Sequence, residues 1–132
     1  MIFALLLLLA QPANAEPDQV CDDPLTQQAM NTCAAMDFER ADERLNEQWR
    51  ETAAVMRELD AEIDRENDSQ PGHFETLLAA QRAWLEFRDA QCRTEGFMAR
   101  GGSMQPMLVS QCKAYLTELR IEQLRNLSAG PE

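Results

Sequence analysis

The chain has 132 residues, room for one domain, and its 23 acidic against 12 basic side chains give a net charge of −11. That acid excess argues against nucleic acid and against an anionic membrane, and favours either no electrostatic partner or a cationic one. One histidine, His73, and four cysteines with no CxxC pair make a zinc site a poor reading.

In chain order, residues 1–15 hold an apolar run from Ile2 to Ala10, then Gln-Pro, then Ala13-Asn14-Ala15. Small residues flanking one other residue mark a signal-peptidase site, so the segment reads as a signal peptide cleaved after Ala15, although no Lys or Arg precedes the apolar run. It is too short to cross a hydrocarbon core of roughly 30 Å. Asp18-Gln19-Val20 ahead of Cys21 lack the small, aliphatic pattern of a lipidation box. The expected mature domain is 16–132, periplasmic or secreted, with an ordered core over about 21–127.

Residues 16–23 are polar and contain Pro17, which predicts an extended lead-in. A first helix starts near Pro24 to Thr26, with Asp23 or Thr26 as cap. Phe38, Leu45, Thr52 and Leu59 form one heptad series and Asp42, Trp49, Met56 and Ile63 the other, a long seam for two further helices. Asp42 on that seam predicts either a solvated helix end or an ion pair with Arg88 or Arg120. The turn formers from Asn67 to Gly72 end this helix around Glu66. Asp60, Glu62, Asp64, Glu66 and Asp68 crowd its end, either as a docking patch for a basic partner or as a solvated terminus.

The second helix spans about 73–95 and stops at Gly96, expected as a left-handed cap. Leu78, Leu85 and Cys92, with Leu77 and Trp84 beside them, repeat every seventh residue. Gln81 and Arg88 fall on the same stripe. An amide and a guanidinium facing a core need hydrogen bonds, so they read as a polar network between helices, or else as long side chains reaching the edge. A loop over 97–105 with paired glycines follows. Ser103 is the expected cap of a third helix, with Pro106 in its first turn, running to about Leu127 on Leu108, Cys112, Leu116, Leu119 and Leu124, with Arg120 interrupting the stripe.

The expected fold is therefore all-α: a small antiparallel three-helix bundle with one long first helix. If the second and third helices are antiparallel about Gly101, Cys92 lies within one turn of Cys112, which pairs them. Cys21 and Cys33 then pair as the lead-in folds back on the first helix. Two disulfides suit an exported domain of this size.

Catalytic groupings are missing: no Ser-His-Asp set, glycine-rich phosphate loop or metal-ligand pair appears, and no cofactor is implied. Met98, Met104 and Met107 read as loop packing before a soft-metal site. In the 97–105 loop, Arg100 suits the approach to carboxylates, Ser103 a hydrogen bond, and Gly101 and Gly102 close backbone contact. The plainer role for the same residues is to join two helices.

Cys21, Cys33, Ala41-Asp42 with Leu45-Asn46, Ala80-Gln81 with Trp84, Arg88-Asp89 and Cys92, then Gly102-Ser103, Cys112, Thr117, Arg120 and Leu124 together resemble the lysozyme inhibitor LprI-like domain family. The resemblance covers most of the chain. It implies a disulfide-linked helical domain without enzymatic activity and a protein partner for which a cationic lysozyme is the candidate, while Asp42, Asn46, Gln81, Arg88 and Arg120 are expected as a structural polar network. The alternatives are another cationic or envelope partner, and a metal or small-molecule ligand.

Overall fold

The computed structural model describes residues 21–130; the expected signal peptide and most of the expected lead-in lie outside them. Three helices make up the fold: α1 (Gln27–Ala61), α2 (His73–Gly96) and α3 (Gln105–Ala129), with a one-turn 3₁₀ segment, Phe97–Ala99, after α2. No strand occurs among the described residues. Thr26 caps α1, its hydroxyl accepting the Ala29 N–H at 3.1 Å. With 35 residues, α1 is about 52 Å long at 1.5 Å per residue.

Long α1 is the spine, and both shorter helices lie along it. Contacts run in step between α1 and α3, Asn31 to Ser103 and Thr52 to Leu124, so these two helices are parallel. Contacts between α1 and α2 run in opposite order, Asp42 to Arg88 and Asp60 to His73, so α2 is antiparallel to both. The core joins Leu45 and Met56 of α1, Leu77 of α2, and Ile121 and Leu124 of α3, with Trp49, Val55, Phe74 and Trp84 packed around them.

Two disulfides pin one end. Cys92 and Cys112 join α2 to α3 with Cα atoms 5.3 Å apart, and Cys21 returns to Cys33 on α1 at 5.5 Å. Both pairings are those expected from the topology.

Several details differ from the sequence reading. Helix α1 ends at Ala61 instead of Glu66, because Asp60 is drawn to the start of α2, where it accepts the His73 and Phe74 N–H groups at 2.5 and 3.1 Å. Gly96 is not a left-handed cap: its φ is −58°, it is helical and buried, and a Cβ there would stand 2.4 Å from Val109 Cγ2. Its role is close packing of α2 against α3. Ser103 does not cap α3. The cap position is Met104, without a side-chain bond, and the Ser103 carbonyl instead accepts the Asn31 amide at 2.9 Å. On α3 the inward stripe is Cys112, Thr117, Ile121 and Leu124, whereas Leu119, two residues from both Thr117 and Ile121, faces outward and is 40 % exposed.

Candidate functional site

The loop end of the bundle is built from α2 outward. Past Gly96 the chain makes its 3₁₀ turn and reverses through residues 100–104. Gly101 has φ 77°, a conformation that requires glycine, and its N–H donates to Gln105 Oε1 at 2.8 Å. Below the turn, the Cys92–Cys112 disulfide and the Asn31 bond to Ser103 tie it to both neighbouring helices. A short loop held at these points loses little entropy on binding a partner.

What this end presents is apolar and cationic. Met98 is 86 % exposed, and Phe97 and Met104 are also on the surface. The Arg100 guanidinium lies over the Phe97 ring, 4.4 Å from its centroid, which limits the directions the charge can take. No acidic residue falls within 97–105 of this acidic chain, so Arg100 is the only charged side chain there. Arg100, Gly101, Gly102 and Ser103 are all exposed.

Arg88, Gln81, Arg120 and Asp42 meet in the middle of the bundle, at the seam of the three helices. The Arg88 side chain is only 8 % exposed. Its Nη1 donates to Asp42 at 3.0 Å and to the fully buried Thr117 hydroxyl at 3.3 Å, and its Nε to Asp89 at 3.1 Å. Phe38 and Trp84 offer their faces to the same guanidinium at 5.1 and 5.2 Å. Asp42 thus pairs with Arg88, not Arg120. Arg120 Nε donates to Gln81 Oε1 at 2.9 Å and its Nη1 to Gln123 at 3.1 Å. Burial pulls the Arg120 pKa below its usual value. Asn46, expected with this set, lines the same surface groove as Asp42, Gln81 and Arg88, but it is exposed and its side chain makes no hydrogen bond among the described residues. Water serves an exposed amide, so it needs no protein partner there.

A polar contact that the sequence reading passed over lies in the same seam. The Thr52 hydroxyl, on the predicted heptad, donates to the Leu124 carbonyl at 3.0 Å and accepts from Gln48 at 3.3 Å, placing Gln48 in the core as well.

The acidic run at the far end is largely occupied. Burial works against ionisation of Asp60, but the Phe74 and His73 N–H groups and the His73 ring together hold its pKa below the ordinary carboxylate value. The side-chain amide of Asn67 and the N–H of Glu66 do the same for Asp64. These carboxylates shape the turn and start α2. Glu62 and Glu66 of the same run are exposed, their side chains without a hydrogen bond among the described residues. No group of three His, Cys, Asp or Glu side chains suited to a metal occurs among the described residues, and none of their helices is long and apolar enough to cross a membrane. Met107 packs beneath Gln27, whose amide lies 3.6 Å from its sulfur.

Comparison with known proteins places this architecture. No solved structure matches the chain. A relative from Rhizobium meliloti (strain 1021), called uncharacterized protein R02472, is 43 % identical over 130 residues, covering 98 % of this chain and 94 % of the relative. The family model described as "Lysozyme inhibitor LprI" matches residues 21–124. That span runs from the first disulfide cysteine through Asp42, Arg88, both partners of the second disulfide and the Leu124 core position, so the chain belongs to the LprI lysozyme inhibitor family.

Proposed function

We propose that this chain is an exported binding protein that inhibits a cationic lysozyme by seating the 97–105 loop in the enzyme's cleft. The observation that carries the reading is the loop end itself, a firmly held turn with Met98 exposed and Arg100 braced on Phe97. Glycoside hydrolysis by lysozyme uses two carboxylates in an open cleft, and a lone cation flanked by apolar side chains complements that site. The chain's net charge of −11, with every acidic side chain outside the loop, steers a cationic enzyme toward it, faster at low salt. Two disulfides in a chain of this size fit an oxidising compartment outside the cytoplasm.

The test is a muramidase assay with the Arg100→Glu and Ser103→Lys variants, their folding checked by circular dichroism. Both are expected to lose inhibition while staying folded. Inhibition unchanged in both would remove the loop from the contact. Binding of lysozyme without loss of its activity would point to an interaction protein for another cationic or envelope partner.

A further inference from the structure

At the end of the bundle away from the loop, a groove of about 410 Å³ runs beside α2 and α3, walled by Met56, Leu77, Ala80, Leu127 and Arg120 among others. Its size is within the range of small-molecule sites. In a chain with 23 acidic residues, no acidic side chain lines it. Of the other polar groups in its wall, the Thr76 hydroxyl donates to the Gly72 carbonyl at 2.9 Å and the His73 ring is 3.0 Å from Asp60, while the Gln70 side chain is a neutral amide.

Arg120 is the exception. Both of its hydrogen-bond partners, Gln81 and Gln123, are neutral amides. Its Nη2 is buried and donates to no acceptor among the described residues. A guanidinium drawn from water without a counter-charge is costly, as the lowered Arg120 pKa also indicates, and an incoming anion relieves that cost. Arg88, the other seam arginine, has two carboxylates on it, so the lack is particular to Arg120.

We infer that this groove binds a small aliphatic monocarboxylate, with the carboxylate on Arg120 and the hydrocarbon chain along Met56, Leu77 and Leu127. The apolar walls select the chain and the unneutralised guanidinium selects the head group. With Nε on Gln81 and Nη1 on Gln123, the unneutralised charge of the guanidinium, not a free two-donor fork, is what draws the carboxylate.

Octanoate titrated into the mature protein by calorimetry provides the test. Saturable binding at a single site is expected, weakened about tenfold or more by Arg120→Gln, and 1-octanol is expected to bind at least about tenfold more weakly than octanoate. Ala80→Phe fills the groove with Arg120 intact, and it should abolish octanoate binding even if Arg120→Gln proves too unstable to use. No saturable binding would overturn the inference, as would equal binding of octanol or full binding by either variant. The groove is remote from the 97–105 loop, so this result and the muramidase result stand or fall separately.

Discussion

Replacing Arg88 with alanine should be among the most damaging single changes in this domain. The variant leaves the Thr117 hydroxyl, fully buried and 3.3 Å from the lost Nη1, without that partner. A buried group stripped of its hydrogen bond costs about 1–3 kcal/mol. Asp42 and Asp89 have side chains 40 % and 47 % exposed; both regain water, so each ion pair adds only about 0.5 kcal/mol. Loss of the stacked guanidinium between Phe38 and Trp84 adds about 1 kcal/mol. The total is about 3–5 kcal/mol, to be read from urea unfolding with the slope held as a check on two-state behaviour. Arg88→Lys keeps the charge but not the fork, and should recover less than half of it. A loss within about 0.5 kcal/mol for Arg88→Ala would show a solvated side chain and refute the buried-network account.

Asp60→Asn should lower the melting temperature at neutral pH, because Asp60 accepts two N–H groups at the start of α2 and faces His73. Its folded pKa is depressed, so the contribution is present above the ordinary carboxylate value of about 3.9 and is lost as pH falls through the folded value. The wild-type and variant melting temperatures should therefore converge in acid; a gap that persists there would contradict the capping role. Removing the Cys92–Cys112 bridge, which closes a separation of 20 residues, should cost about 3 kcal/mol, and a negligible change in denaturation midpoint would contradict its structural weight. Gly96→Ala should destabilise by about 1–3 kcal/mol through its contact with Val109. In a Val109→Ala background the same change should be neutral or stabilising, since alanine suits a helix better than glycine. Equal effects in both backgrounds, measured as a double-mutant cycle, would remove that contact as the cause.

The helices and disulfide pairs were legible because heptad spacing and turn residues determine where rods begin, end and double back. Leu59 shows the limit of that spacing. It lies three heptads beyond Phe38, and a straight helix drifts about 20° per heptad from a seven-residue repeat, so its side chain has turned out of the seam by about 60° and is 38 % exposed. Asp60 could not be placed from its neighbours in sequence, since its partners are 13 and 14 residues away across a turn. The same holds for Asp42, for which two arginines were equal candidates on paper and packing chose Arg88. In the loop, the glycine pair announced a tight reversal, but the stacking of Arg100 on Phe97 and the exposure of Met98 are facts of three-dimensional placement.

The most direct test of the account is to titrate a cationic lysozyme with the purified protein at low and at moderate salt while following muramidase activity. Loss of activity that saturates at one inhibitor per enzyme, weakens as salt rises and disappears with Arg100→Glu is the predicted result. Full muramidase activity in the presence of excess wild-type protein at low salt would contradict it.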